Sequence, residues 1–242
     1  MANSKSIYQI STLQALAMGY TRRVTDVQSF LQHGDIGLGT FENVDGEMIV
    51  LDGECFRATE DGTVFKASPD MGIPFACIAS MVSERQKEIA DILNIEQLKK
   101  ELDLSIEEVF GLNSIHMVRI DGEFSKISAR SESPYKSQHI ELKDVLAKTQ
   151  KEFILENTAS SLVCVYFPDY LDGINASGWH VHFVSSDHKR GGHVFDLSLK
   201  SGRMHLMKID NIQMHIPSDP AFDTYTLKDA SQKDIKEVEQ GK

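Results

Sequence analysis

The chain has 242 residues, of which 41% are hydrophobic, and its formal net charge is -11. This length and composition predict an ordinary globular protein with a sizeable core. The negative charge argues against a nucleic-acid surface, because phosphate binding requires clustered lysine and arginine side chains. The apolar runs are far shorter than the roughly 20 residues that a membrane-spanning helix needs, so we expect no membrane partner.

The N-terminus and the cysteines carry no signal for export or for disulfide formation. The first ten residues contain neither the apolar core of about 7–15 residues nor the small-residue cleavage site of a secretory signal, so a cytoplasmic location is the default. Cys55, Cys77 and Cys164 are far apart in apolar stretches, and no Cys-X-X-Cys pair occurs. We therefore expect three buried thiols.

Two helices are predicted in the first forty residues. Ser11 or Thr12 can cap a helix that runs through Gly19. Thr25 can cap a second helix over residues 27–32, before Gly34. The chain is therefore expected to begin with a helical segment.

Short strands are predicted after Gly37, where runs rich in valine, isoleucine and phenylalanine begin. These runs are separated by Asp-Gly pairs, which favour two-residue hairpin turns: Asp45-Gly46, Asp52-Gly53 and Asp61-Gly62. Residues 84–101 have apolar side chains at helical spacing, and Ser105 with Glu108 forms a capping box that predicts another short helix. We expect an antiparallel meander with helices that cover one face.

The second half returns to strands. Residues 115–120 and 124–129 predict a strand pair around Asp121-Gly122, and residues 141–153 predict a helix. Strands resume after residue 161, and the polar segment 229–239, with its narrow apolar stripe, predicts a short C-terminal helix. This order of elements predicts an α+β fold.

The clearest chemical signal is a set of three histidines. In residues 178–184, His180 and His182 lie two apart, so on a strand both imidazoles point to the same face. Residues 191–197 look like the returning strand, and a hairpin would bring His193 beside the pair. Three neutral imidazoles with an open position are typical of a catalytic zinc or a similar divalent ion. Packing or surface histidines are the alternative interpretation.

A fourth histidine lies in the predicted turn of this hairpin. His188 is an alternative ligand, but its charged neighbours Asp187, Lys189 and Arg190 favour a solvated turn. No cysteine lies near the histidines, and structural zinc sites inside cells usually use cysteine thiolates. If a metal binds, the sequence favours a catalytic site.

Three blocks of this sequence resemble the alpha-acetolactate decarboxylases. They are residues 33–41 (His-Gly-Asp-Ile-Gly-Leu-Gly-Thr-Phe), residues 45–53 with their two Asp-Gly pairs, and residues 178–197 with the three histidines. The resemblance extends from residue 8 to residue 239. It implies a carboxy-lyase that converts (S)-2-acetolactate, a small-molecule substrate, to (R)-acetoin and carbon dioxide, and that assembles as a homodimer.

The resemblance also implies a set of site residues. Zinc would be held by His180, His182 and His193, would chelate the keto and hydroxyl oxygens of the substrate, and would stabilise the enediolate. Four further side chains would serve catalysis: Thr40, Glu47, Arg130 and Glu239. Glu54 is the alternative to Glu47, and Glu237 is the alternative to Glu239. Residues 131–135 (Ser-Glu-Ser-Pro-Tyr) depart from the family pattern, which leaves the pocket rim undefined.

The implied fold has an N-terminal mixed sheet with covering helices, over residues 1–130. A C-terminal antiparallel sheet or barrel over residues 131–242 would carry the zinc and end in a tail helix. The rival interpretation is a cupin-like dioxygenase or isomerase, because the acid Asp187 and a later histidine follow the His-X-His pair. The dioxygenase would contain iron and consume oxygen.

Overall fold

The computed structural model describes residues 5–136 and 139–227, and most of these residues lie in strands. In chain order the strands are β1 (Ser6–Ile10), β2 (Thr25–Asp26), β3 (Ile36–Thr40), β4 (Glu47–Leu51), β5 (Glu54–Ala58), β6 (Val64–Lys66), β7 (Gly72–Ile73), β8 (Phe75–Ala79), β9 (Arg85–Ile92), β10 (Ile115–Glu132), β11 (Gln150–Phe167), β12 (Gly178–Ser185), β13 (Gly191–Ile209) and β14 (Asn211–His215). The helices are α1 (Leu13–Ala17), α2 (Val27–Phe30), α3 (Ile95–Glu107) and α4 (Leu142–Thr149). Short 3-10 turns occur at Leu31–His33, Asp169–Leu171 and Phe222–Thr224.

The first sheet is mixed, as the resemblance implies. Its seven strands lie in the order β14-β1-β8-β3-β4-β5-β6, with β1 and β14 parallel and the other neighbours antiparallel. The predicted meander corresponds to β3 through β6. Asp52 and Gly53 both have positive φ between β4 and β5, which is the backbone of a type I′ hairpin turn. The separate pair β2–β7 completes this half.

The second sheet closes on itself in part, which confirms the predicted antiparallel sheet or barrel. Its strand order is β10-β11-β12-β13-β9, and β10 also pairs with β13 along most of its length. All these pairings are antiparallel. Strand β13 is long enough to pair with three strands: β10 along most of its length, β12 near its start and β9 further along.

The main core lies between the two sheets. Leu38 and Ile49 of the first sheet are buried in one cluster with Met117 and Val163 of the second. Helix α3 covers the other face of the second sheet through apolar side chains such as Leu102. Helix α2 packs against the outer face of the first sheet. The covering helices are therefore confirmed, and the three cysteine thiols are buried as predicted.

The helix predicted over residues 84–101 is wrong in its first half. Residues 85–92 form β9, which pairs with β13, and α3 begins only after Asn94. The Asn94 side chain accepts a hydrogen bond from the Gln97 amide, so it is the N-cap. Ser105 does not start a new helix, because it lies inside α3 beside Lys87.

The strand pair predicted around Asp121-Gly122 is also wrong, because β10 continues through this point. A β-carbon on Gly122 would lie 2.6 Å from the Ser201 carbonyl oxygen, so the glycine permits a close approach of β13 rather than a turn. The Asp121 side chain accepts hydrogen bonds from Arg119 and Ser161, which holds it within the sheet. The helix predicted over 141–153 ends at Thr149, where β11 takes over.

Near the N-terminus, one predicted helix cap is confirmed and the other is wrong. Thr12 caps α1 as predicted, whereas Asp26 rather than Thr25 caps α2, and β1 was not anticipated. The predicted helix at 229–239 lies outside the described residues. The division into domains at residue 130 stays a prediction; residue 130 lies within β10. None of the described helices has the length and apolar character needed to cross a membrane.

Candidate metal centre

The three predicted histidines come together on the hairpin of β12 and β13. His180 and His182 share one face of β12, and His193 lies directly opposite His182 on β13. A hydrogen bond from the Ser185 amide to the Arg190 carbonyl closes the turn between the strands. Gly192 has φ of +156°, and a β-carbon there would lie 2.8 Å from the Arg130 carbonyl oxygen. This glycine thus lets β13 approach β10 beside the site.

The ring nitrogens of these histidines converge on one point. The Nε2 atom of His180 lies 3.0 Å from Nε2 of His182 and 3.2 Å from Nδ1 of His193. All three side chains are buried, with exposed fractions of 6%, 1% and 5% in chain order. Four-coordinate zinc binds imidazole nitrogens at about 2.0–2.1 Å, which puts tetrahedral ligands about 3.3–3.4 Å apart. The two distances from His180 are close to this spacing, and one nitrogen from each of the three rings lies within 4.8 Å of the other two.

The protonation of the rings also fits a metal. The Nδ1–H of His182 donates to the Met48 carbonyl oxygen at 2.8 Å, which leaves the lone pair on Nε2, the atom that faces the other rings. Burial lowers the pKa of His180 to about 3, and the nearby charge of Arg130 lowers it further. Burial likewise holds the pKa of His182 well below its ordinary value. Neutral imidazole is the form that binds metal.

Glu47 is the carboxylate beside the triad. Its Oε2 atom lies 3.4 Å from Nε2 of His182, and its side chain is 13% exposed. The Glu47 amide donates to the Ser131 hydroxyl, which donates in turn to the Ala58 carbonyl, so the start of β4 is tied to β10. Thr40 lies opposite Glu47 on β3 and donates its hydroxyl hydrogen to the Gly46 carbonyl at 2.9 Å.

Arg130 brings a buried cation to the same place. It lies opposite His193 on β10, is 8% exposed, and has Nη2 3.4 Å from His193 Nε2. A guanidinium so far from water is well suited to bind an anion, because charge-assisted hydrogen bonds strengthen where water is excluded.

Two alternative residues do not join the cluster. Glu54 is half-buried and forms an ion pair with Lys66, so it does not replace Glu47. His188 is exposed on the turn and packs against the Phe56 ring, away from the three ligands. Asp187, the acid that a cupin-like site would need, accepts a hydrogen bond from Ser185 on the same turn. Glu239 and its alternative Glu237 lie outside the described residues.

The site opens into a cleft with about 430 Å³ of empty space, including its mouth. Its polar lining consists of the site residues already described and two that sequence reasoning missed, Glu132 and Gln150: Thr40, Glu47, Arg130, Glu132, Gln150, His180 and His193. The apolar side chains that line the cleft are Leu16, Val44, Phe75, Leu142 and Leu146. The spacing of Glu132, two residues after Arg130 on a strand, was the signal that could have placed it in the pocket.

The fold and the site together are those of an enzyme in which three buried histidines that could hold a metal ion lie beside a cleft. Residues 7–229 match the sequence model of the alpha-acetolactate decarboxylase family, and the chain belongs to that family. It is 32% identical to the alpha-acetolactate decarboxylase of Methanosarcina mazei over 98% of this chain and 81% of that protein. It is also 32% identical to the enzyme of Lactococcus lactis strain IL1403, over 90% of both chains.

A solved structure supports the fold in detail. The crystal structure of alpha-acetolactate decarboxylase from Bacillus subtilis strain 168 superposes with a TM-score of 0.91 at 29% identity. The match covers 97% of this chain and 99% of that one. Family membership favours a decarboxylase over the cupin-like alternative.

Proposed function

We propose that this chain removes carbon dioxide from (S)-2-acetolactate to leave (R)-acetoin. The observation that carries the proposal is the buried cluster of His180, His182 and His193 at a cleft that also contains Glu47 and Arg130. Relatives that this chain matches over nine-tenths of its length or more are named for this decarboxylation. Loss of carbon dioxide leaves an electron pair on the α-carbon, so the site must stabilise negative charge on the adjacent oxygen.

The three histidines would hold a divalent ion, for which we propose zinc. Their all-nitrogen donor set and spacing suit zinc, and the buried pocket leaves coordination positions for the substrate. When bound, the ion would supply Lewis-acid chemistry at the keto and hydroxyl oxygens of acetolactate. No organic cofactor is then needed.

Arg130 would bind the substrate carboxylate and orient it. The planar guanidinium matches a carboxylate with two parallel hydrogen bonds, and its burial strengthens them. Because Arg130 is the cationic side chain among the described residues that line the cleft, the charged end of the substrate would lie beside it. The methyl groups would then face Leu16 and Leu146.

Proton transfer to the α-carbon would fall to Glu47, with Glu239 as a second carboxyl group. Glu47 lies within 3.4 Å of a ligand nitrogen, so its carboxyl oxygen Oε2 can reach a substrate held at the triad. A role for Glu239 rests on the resemblance alone. Thr40 would line the pocket and hold the loop before Glu47 through its bond to Gly46.

We further propose a cytoplasmic homodimer. The resemblance to the family supports the assembly. Light scattering on the purified protein tests the dimer directly: a mass near twice 27.1 kDa would support it, and a mass near 27.1 kDa would contradict it.

The test of the reaction is the product balance from racemic 2-acetolactate. We expect acetoin and carbon dioxide in equal amounts, with one enantiomer consumed first and no oxygen uptake. Oxygen consumption with iron in the protein would instead support the dioxygenase. Folded, zinc-loaded protein that yields no acetoin would overturn the proposal.

A further inference from the structure

Gln150 is a polar side chain in the cleft with no assigned role. It is the first residue of β11, directly after α4, and its backbone amide bonds the Leu146 carbonyl as that helix ends. Its side chain lines the cleft. No residue in the described ranges 5–136 and 139–227 makes a hydrogen bond to its side-chain amide. The amide is therefore available to a ligand.

The sheet register fixes where Gln150 lies relative to the metal ligands. It is directly opposite Glu132 on β10, and Arg130 comes two residues earlier, opposite His193. Residues two apart on a strand share a face and are about 7 Å apart along it. Along the sheet, Arg130 therefore lies between His193 and Gln150. A small ligand held at the histidines and Arg130 would extend toward Gln150.

The groups around the cleft decide which end of a ligand Gln150 would meet. Glu47 and Glu132 already supply acceptor oxygens, so the feature that Gln150 adds is a neutral N–H donor. A neutral donor can bond an anion without the cost of burying a second cation. The apolar side chains that line the cleft cannot bond a carboxylate.

We propose that Gln150 is a substrate-binding residue whose side-chain amide donates to the carboxylate of a 2-hydroxy-3-keto acid, beside Arg130. This inference rests on the proposed function and extends it by one residue. Gln150 would help to hold the carboxylate in a fixed orientation before it leaves as carbon dioxide.

The test measures binding rather than turnover, with two probes on the zinc-loaded protein. The first is 2-hydroxyisobutyrate, which has the carboxylate and hydroxyl groups of the substrate but no ketone. The second is acetoin, the uncharged product. Calorimetry gives the dissociation constant of each with wild-type protein, Gln150→Leu and Gln150→Glu.

We expect Gln150→Leu to raise the dissociation constant of 2-hydroxyisobutyrate by about 10- to 100-fold, which is the usual effect of losing a hydrogen bond to a charged group. Acetoin binding should change by less than about twofold. Gln150→Glu should weaken binding of 2-hydroxyisobutyrate further, because it adds a like charge, and this variant should still bind acetoin. The KM for acetolactate should rise in the same order as the dissociation constant of 2-hydroxyisobutyrate.

A glutamine outside the cleft provides the control. Gln86 is an exposed glutamine on β9, away from the cleft, so Gln86→Leu should change neither constant. Equal weakening of both probes by Gln150→Leu would mean a structural role, and no weakening of either would mean no contact; both overturn the proposal. If wild-type protein binds both probes but makes no acetoin, the reaction has failed while the binding result still decides Gln150.

Discussion

Removing the His182 side chain should separate metal binding from folding. This imidazole is 1% exposed, donates to the Met48 carbonyl oxygen at 2.8 Å, and lies within 3.0 Å of the Nε2 atom of His180. His182→Ala takes away one of three ligands and the hydrogen-bond partner of a buried carbonyl. We therefore expect a lower zinc affinity and a lower free energy of unfolding.

The effect on metal affinity should be large. Changing a residue that only orients a ligand usually lowers metal affinity by 10- to 100-fold. We therefore expect loss of the ligand itself to lower the zinc affinity by more than about 100-fold. The metal-free protein should lose about 2–4 kcal/mol of unfolding free energy, from an unpaired Met48 carbonyl and a new cavity. Acetoin production should fall with the zinc content.

Zinc competition with a coloured chelator measures the affinity, and urea unfolding of metal-free protein measures the stability. His188→Ala is the matched control, because His188 is exposed on the turn of the same hairpin. It should keep full zinc affinity. If His182→Ala still binds one equivalent of zinc as tightly as wild type, His182 is not a ligand and the site has been misassigned.

Three further substitutions test other parts of the account. Arg130→Gln should keep its zinc and lower kcat/KM by about 30- to 5000-fold, the cost of about 2–5 kcal/mol for losing a buried charged partner; steady-state kinetics would contradict this if the change were under threefold. Glu47→Gln should cut kcat by about 100-fold or more while zinc stays bound, whereas Glu54→Gln should match wild type; equal rates for both would remove Glu47 from proton transfer. Gly122→Ala should lower the unfolding free energy by about 1–3 kcal/mol in urea, because the added β-carbon meets the Ser201 carbonyl; an unchanged midpoint would show that β10 and β13 separate at no cost.

Local patterns predicted the parts of the fold that depend on local contacts. The Asp52-Gly53 turn and the Thr12 cap each act within a few residues, and both were recognised. The same holds for the histidine hairpin: a spacing of two residues on a strand and a short return strand bring His180, His182 and His193 together whatever the rest of the chain does.

Distant pairing explains most of the errors. The apolar residues of β9 fit a helical period, yet residues 85–92 pair with β13, more than a hundred residues later. Asp121-Gly122 has the composition of a turn, but the glycine is needed where two strands approach closely. Neither partner is visible in a local window of sequence.

The outer parts of the site depend on the same long-range register. Residue types alone gave Glu47 and Arg130 no more weight than any surface charge; the family resemblance singled them out, and the strand pairing brought them to the triad. Glu132 and Gln150 were missed because their pairing across β10 and β11 depends on where α4 ends.

The most direct test of the central claim is a metal titration of chelator-treated protein. Acetoin formation from 2-acetolactate should disappear on metal removal and return in proportion to added zinc, with a break at one equivalent per chain. Full activity in metal-free, folded protein, or zinc bound at one equivalent without any acetoin, would contradict a decarboxylase built on the three histidines.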